Sequence, residues 1–454
     1  MLTGTERAQA LRTLFLNRSY HPDVEATGQL LTELCGDLAR RHEVTVIAGQ
    51  PNFIAANRPL PSREIHNGVT IVRVRNLRFN KVSLFRRALG LASYLLCAFW
   101  TALWQKRPDA IVVETDPPVL GALGALLKRW HRCPMIFYLQ DLFPEVGLAL
   151  GKFRPGPVTA FLRWLTNAGL RNADRIVVLG EDMKRRVLQR GIDPQRVVVI
   201  PNWADTQALR AAEGSNPLRQ QWGVVDRFVV MYSGNLGLSQ GLEAVLDAAV
   251  TLRDEAVLFL FVGDGAARQR LIATASERQL NNVRFLPYQP KDRLGESLAV
   301  ADVHLIPMRC GLAGCMVPSK LYGILAAGKP YIAAVDADSE VAEVTAAHNT
   351  GIRIEPESSE ELTRTIRWCM AHPQEIKEMG ERGRGVAETY FDRERSVGLF
   401  DDLLAGLPCR ENALKQHVRQ LPVVAPSFAD AKAGAGIRMS LSGERRVLSG
   451  TREC

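Results

Sequence analysis

Lys320 is the residue whose placement is hardest to explain without chemistry. It lies in ADVHLIPMRCGLAGCMVPSKLYGILAAGKPYIA, where an apolar run ends at Pro307, a loop follows, and Pro318-Ser319 opens a helix with Ser319 as its expected cap. A cation in a first helical turn opposes the helix dipole. A lysine there makes sense if its ammonium and the free helix amides together hold a polyanion; the alternative is a side chain pointing to solvent. Glycines extend the same chemistry. YSGNLGLSQG supplies Gly234, Asn235, Gly237 and Gly241 at the turn from a strand into a helix, and FLFVGDG sets Gly263 and Gly265 at the next strand end. In the first half, NRSYHPDVEATGQLL puts Gly28 near a helix start, where bare amides suit phosphate. The Rossmann dinucleotide fingerprint is absent, which counts against a nicotinamide enzyme.

A second set of residues suits proton chemistry. FYLQDLFPE ends a strand with Asp141 and Glu145 four positions apart. Either carboxylate could orient a hydroxyl or take its proton; Asp141 could equally cap a helix start. Asp116, in ETDPP, also ends a strand and reads as a turn former, and Asp336 and Asp338 form an Asp-x-Asp that reads as loop or helix cap. His21 and His304 show no metal-ligand spacing, and the eight cysteines form no Cys-x-x-Cys and fall at irregular intervals. A disulfide framework and a zinc site are therefore not expected, and reduced thiols fit a cytosolic chain. MLTGTERAQALRTLFL has no long apolar core, so no secretory signal is indicated.

The elements that must position these residues follow from periodicity. Apolar runs at Leu14–Leu16, Val44–Ala48, Val69–Val74, Ala110–Val113, Met135–Leu139, Arg175–Leu179 and Val197–Ile200 alternate with helical patterns such as Glu25–Arg41 and Thr159–Arg171. A second series follows at Phe228–Tyr232, Val257–Val262, Val283–Leu286, Val303–Ile306, Tyr331–Val335 and Gly351–Ile354, with helices at Leu242–Leu252, Ala266–Arg278 and Pro318–Ala327. Strands alternating with helices predict parallel sheets covered on both faces, so the chain is α/β with two Rossmann-like domains. We place the first at residues 1–204 and the second at 205–390, the boundary falling between Asn202 and Arg227. A late helix at 391–406 is expected to pack back toward the first domain, and 407–454 reads as a disordered tail.

The motif order HPDVEATG, FYLQDLFPE, IPNWAD, YSGNLG, FVGDG, ADVHLIP, PSKLYGILAAGKP and TGIRIEP resembles glycosyltransferase family 4, over residues from about Leu14 to Leu404. Within it the likeness is to the bacterial branch that builds O-antigen, colanic-acid and other exopolysaccharide units. The resemblance implies a GT-B fold, transfer with retention of anomeric configuration, and no metal. The second domain would hold a nucleotide-diphosphate sugar, with a UDP-sugar favoured, and the first domain a saccharide or lipid-linked acceptor. Donor residues would then be Gly28, Gly234, Asn235, Gly237, Gly263, Gly265, Arg309, Pro318, Ser319, Lys320 and Leu321, and catalytic candidates Asp141, Glu145 and Lys320. The chain departs from the family at three places. Cys315 and Gly323 stand where members carry two glutamates, and Gln240 stands where many carry a lysine. Lys320 and Arg309 are the nearby substitute cations. These departures keep a catalytically weak sugar-nucleotide binder as an alternative, beside a UDP-sugar epimerase of the same fold.

One segment fits no motif. Ala88–Trp104 has no charged residue, contains Trp100 and Trp104, and is flanked by Arg86, Arg87, Lys106 and Arg107. It reads as a buried helix or a helix lying on a membrane surface, with a membrane span the least compatible because the α/β pattern continues on both sides. The net charge of +9 suits a phosphate-bearing partner or an anionic membrane. We expect a cytoplasmic enzyme at the inner face of the membrane, and no nucleic acid partner.

Overall fold

Short runs of Val, Ile, Leu and Phe, buried on both faces, form the strands of two separate sheets. In the computed structural model, residues 10–407 are described apart from 24, 51–59, 76, 78–83 and 210–215. The tail expected beyond Leu407 lies outside the described residues.

The first half contains β1 (Arg12–Leu16), α1 (Ala26–Leu38), β2 (Glu43–Ala48), β3 (Arg63–His66), β4 (Val69–Arg73), α2 (Leu84–Leu103), β5 (Ala110–Val113), α3 (Leu120–His131), β6 (Met135–Tyr138), α4 (Glu145–Ala149), α5 (Pro157–Asn172), β7 (Arg175–Val178), α6 (Glu181–Leu188) and β8 (Val197–Val199). Its eight strands lie in the order β3-β4-β2-β1-β5-β6-β7-β8. All pairs are parallel except β3 with β4. The second half contains α7 (Pro217–Gln221), β9 (Phe228–Ser233), α8 (Glu243–Thr251), β10 (Val257–Val262), α9 (Arg268–Glu277), β11 (Val283–Leu286), α10 (Leu294–Ala299), β12 (Val303–Pro307), α11 (Lys320–Ala326), β13 (Tyr331–Ala334), α12 (Glu340–His348), β14 (Gly351–Ile354), α13 (Ser359–Ala371), α14 (Pro373–Tyr390) and α15 (Arg393–Ala405). Its six strands are all parallel, in the order β11-β10-β9-β12-β13-β14.

Both sheets reverse strand order once, at β1/β5 in the first and at β9/β12 in the second. In open α/β sheets ligands bind outside the carboxyl ends of the strands at that reversal. The loops after β9 and β12 are the glycine turn and the Lys320 loop, so topology alone brings these two segments together.

Among the contacts that join the halves, two run through α15 and the Cys310–Val317 loop. After α14, Asp392 caps α15 by accepting the Glu394 N–H at 3.0 Å and the Thr206 hydroxyl at 2.5 Å. This turns α15 back onto the first domain, where Phe400 packs against Phe15 and Tyr138 with ring centroids 6.3 and 5.5 Å apart. The Cys310–Val317 loop then crosses the other way. Its Cys315 carbonyl accepts the Leu142 N–H at 2.7 Å, and Met316 forms an isolated bridge with Asp141.

Ala88–Trp104 lies in and just beyond α2, which is buried along one side only. Tyr94, Ala98 and Ala102 are in the core, while Leu96, Trp100 and Trp104 face solvent. It is thus not a wholly buried helix, and no helix among the described residues is long and apolar enough to cross a membrane.

Candidate active site

The glycine turn after β9 is built by close approach. Gly234 has φ 136° and Gly263 φ 145°, and a Cβ on Gly263 would stand 2.0 Å from the Gly234 carbonyl oxygen. Gly265, at φ 157°, would press a Cβ to 2.4 Å from Asn235 Oδ1. Only glycine combines those angles with that contact. Asn235 is held from below, because Tyr232 on β9 donates its hydroxyl to the Asn235 carbonyl at 2.6 Å.

Lys320 opens α11 beside this turn, its Cε 3.6 Å from where a Cβ on Gly234 would be. Its Nζ lies 4.7 Å from the centre of the Tyr232 ring. Burial lowers its pKa to about 8, with no carboxylate contributing. A cation–π contact of about 1 kcal/mol does not offset the desolvation of an ammonium, and the residual cost appears as the lowered pKa. Lys320 therefore does not point to open solvent. Pro318 and Ser319 precede it, and Leu321 anchors the helix in the core. Ser319 occupies the N-cap position but its side chain makes no capping bond, so the expected serine cap is absent. Its backbone is already helical, at φ −58° and ψ −20°, rather than extended as a side-chain cap requires.

Arg309 sits by Gly241 with Glu357. Its backbone N–H is given to the Ser239 carbonyl at 2.8 Å, and its guanidinium lies 3.6 Å from Glu243, leaving Nε buried without a partner. Gln240 is buried with its amide oxygen unpartnered, beside Gly237. Gly323, next to Leu298, has open room where a side chain would extend, whereas Cys315 is buried in the interdomain loop.

Across the cleft, the first domain offers a different chemistry. Asp141 takes a backbone position fixed by the Thr115 hydroxyl, which accepts its N–H at 3.2 Å. It caps no helix: α4 begins only at Glu145, with Pro144 before it. The residue is exposed to solvent along its free edge, and partial desolvation by the protein packed around it, with Asp116 adding its charge, pushes its pKa up to about 6. Asp116 is itself organised at the β1/β5 reversal, accepting the Ser19 hydroxyl at 2.6 Å and pairing with Arg18 at 3.2 Å. That is more than the turn role read from the sequence. Glu145 does not join Asp141 in the cleft chemistry. Its carboxylate is committed to Arg163 at 2.9 Å and Arg190 at 2.6 Å, and it braces α4 against α5 and the end of α6. Gly28 lies buried in the first turn of α1, where a Cβ would come 3.2 Å from that of Asp23. Asp336, from the Asp-x-Asp, accepts the Gly311 and Ala313 N–H groups at 2.9 and 3.1 Å, which shapes the Lys320 loop.

Residues missed in the sequence are Tyr232, Asp182, Glu340 and Glu357. Asp182 and Glu340 are acids in the first turns of helices, a sign that fits dipole pairing as well as an interface. The positive φ of Glu357, 58°, had no signature in its residue type.

Two facing Rossmann-like domains, with amides and a half-buried cation on one wall and a carboxylate on the other, define a GT-B sugar transferase. Residues 26–203 match the family model of the Glycosyl transferase 4-like domain and residues 215–386 that of Glycosyl transferases group 1. The chain belongs to these glycosyltransferases and is an enzyme of that class. It is 29% identical over 412 residues to the putative colanic acid biosynthesis glycosyl transferase WcaI of Escherichia coli, covering 87% of this chain and all of that one. It is 28% identical over 293 residues to the probable glycosyltransferase WbjE of Pseudomonas aeruginosa, covering 64% and 73% of the two chains. Anabaena HepE, solved in complex with UDP and glucose, superposes with a TM-score of 0.68 at 18% identity, covering 87% of this chain and all of that one.

Proposed function

We propose that the protein is a retaining glycosyltransferase that moves a sugar from a nucleotide-diphosphate sugar, most readily a UDP-sugar, to a lipid-linked saccharide during cell-surface polysaccharide synthesis at the cytoplasmic face of the membrane. The observation that carries the donor half is Lys320 seated on Tyr232 against the Gly234–Gly263 turn without a carboxylate partner among the described residues. The kinship to WcaI and WbjE supports the polysaccharide setting.

The reaction breaks the bond between the anomeric carbon and the β-phosphate oxygen and forms one from that carbon to the acceptor oxygen. Negative charge grows on the departing diphosphate, and fixed amides with Lys320 stabilise it more in the transition state than in the ground state. The acceptor attacks on the face the diphosphate leaves. Asp141 orients its hydroxyl and takes the proton. No metal is needed in this reading, because amides and cations supply the counter-charge. The two domains close over the donor and keep water from competing.

A thermal-shift series with UDP-, GDP- and dTDP-sugars tests the donor, since a ligand bound only by the native state raises the melting temperature by mass action. A shift with one nucleotide class, followed by sugar transfer to a membrane extract, supports the proposal. A shift without transfer or hydrolysis would make the protein a sugar-nucleotide binder, as Gly323 and Gln240 would favour. Conversion of the UDP-sugar to its epimer would make it an epimerase.

A further inference from the structure

Asp141 carries its carboxylate on a stretch of backbone that other residues hold in place. The ladder between β5 and β6 ends at Val113 and Phe137, so the amides that follow β6 need acceptors from elsewhere. Leu139 gives its N–H to the Val177 carbonyl of β7 at 2.8 Å. The next two amides go to a single side chain: the Thr115 hydroxyl oxygen accepts the Gln140 N–H and the Asp141 N–H, each at 3.2 Å. Leu142 then donates its N–H to the Cys315 carbonyl of the other domain at 2.7 Å. In an extended strand consecutive N–H groups point to opposite edges. Two that converge on one oxygen therefore prescribe the bend by which the chain leaves β6 at Gln140.

Thr115 is a firm anchor for that bend. It is only 8% exposed, and both of its neighbours in the chain are tied to the end of β1. The Glu114 N–H goes to the Leu16 carbonyl at 3.1 Å. The Asp116 N–H goes to the side-chain oxygen of the fully buried Asn17 at 3.3 Å, and the Asp116 carbonyl accepts the Arg18 N–H at 2.7 Å. The two carboxylates differ in how they are held. Asp116 is fixed through its own side chain by Arg18 and Ser19. The Asp141 carboxylate accepts no hydrogen bond and joins no ion pair among the described residues, so its direction is inherited from the backbone that Thr115 holds.

We infer that Thr115 is a positioning residue of this transferase, whose hydroxyl sets where the Asp141 carboxylate meets the acceptor hydroxyl. The inference rests on the proton-accepting role of Asp141 in the proposed function and adds the residue that aims it. A carboxylate must stand within hydrogen-bond reach of the proton it takes, and misplacement by about 1 Å can cost roughly 100-fold in rate. Thr115 touches neither substrate in this reading; it acts through Asp141 alone.

The experiment measures transfer to a membrane extract from the UDP-sugar that gives the thermal shift. The full chain is compared with Thr115→Val, Thr115→Ser, Asp141→Asn and the Thr115→Val/Asp141→Asn double variant. Valine keeps the shape of threonine and removes the acceptor of both amides, whereas serine keeps the acceptor. Melting curves confirm that each variant folds, and titration calorimetry with UDP reads donor affinity. We expect Thr115→Val to lose roughly 10- to 100-fold in kcat with UDP affinity unchanged, and Thr115→Ser to recover most of that loss. The double variant should be no slower than Asp141→Asn, because a residue that acts only through Asp141 has nothing left to position. A parental rate in Thr115→Val beside an impaired Asp141→Asn overturns the role of Thr115 and leaves that of Asp141 intact. Losses that multiply in the double variant, or a serine variant as slow as the valine one, overturn it as well and assign Thr115 to support of the fold. A parental rate in Asp141→Asn removes instead the reading on which the inference rests.

Discussion

Asp182 and Glu340 cap each other's helices across the domain interface. The Asp182 carboxylate accepts the Glu340 N–H at 2.9 Å, and the Glu340 carboxylate accepts the Glu181 N–H at 2.9 Å. Asp182 also accepts the Gly314 N–H at 2.9 Å and so ties α6 to the loop that leads to Lys320. Gly180 makes room for the exchange, since a Cβ there would stand 2.5 Å from the Glu340 carboxylate.

That arrangement has a pH signature. Burial, and then the nearby Asp182 charge, push the Glu340 carboxyl up to about 8. Glu181 and Glu343 face it as well, and Arg185 pairs with Glu343 rather than with it. The native state therefore holds a proton that the unfolded chain releases above its ordinary carboxylate value of about 4. The stability this provides is complete below about 4 and is lost as pH rises toward 8. Glu340→Gln keeps an oxygen to accept the Glu181 N–H and has no proton to lose. Measured as melting temperature against pH, the variant should gain on the parent steadily from about 5 to 8, ending on the order of a few kcal/mol ahead. Parallel curves would show that Glu340 ionises in the native state at no cost.

Lys320 carries a second prediction. Lys320→Ala should weaken binding of the nucleoside diphosphate by roughly 10- to 100-fold, the worth of a charge-assisted bond. The melting temperature of the ligand-free protein should hardly change, because the cation lies half-buried over Tyr232 with no carboxylate to lose. The pH dependence gives an independent check. The ammonium titrates near 8 when free, and a bound polyanion raises that value, so the parent's affinity should fall as pH climbs past 8. The variant lacks that fall. Equal affinity of parent and variant by titration calorimetry would take Lys320 out of the donor site.

Much of the fold was legible because parallel strands are buried on both faces and read as unbroken apolar runs; Val257–Val262 is buried at every residue. The strand that escaped is β3, Arg63–His66, an antiparallel edge strand that alternates half-buried and exposed residues and pairs only with β4. Within the site, glycine spacing and the misplaced cation were visible as residue types. The seat of Lys320 was not, since Tyr232 reaches it only when β9 and β12 are neighbours in the sheet. Glu145 misled for the same reason. Its carboxylate, four residues from Asp141, suited the same proton chemistry, but Arg163 on α5 and Arg190 just past α6 claim it. The exposed side of α2 was likewise undecidable from its own sequence, because the elements that cover its other side, β2 and α3, lie elsewhere in the chain.

Asp141 faces the site from the other domain, and its test separates chemistry from binding. The Asp141–Met316 bridge sets it opposite the loop that carries Lys320, yet no contact joins its carboxylate to the glycine turn among the described residues. Asp141→Asn keeps the shape and removes the charge and the basicity. Turnover should drop by roughly 10²- to 10⁴-fold, the usual worth of a positioned acid or base, while donor affinity stays near that of the parent. The pH profile distinguishes this from a merely structural loss. With its pKa pushed up to about 6, Asp141 is ionised only above that value, so kcat/KM of the parent should rise through pH 6 and level off. The variant should retain its residual rate without that limb. A parental rate in Asp141→Asn, or a limb at pH 6 that survives the substitution, would move the proton-accepting role to another group, and Asp116, held by Arg18 and Ser19 at the β1/β5 reversal, is the carboxylate placed to receive it.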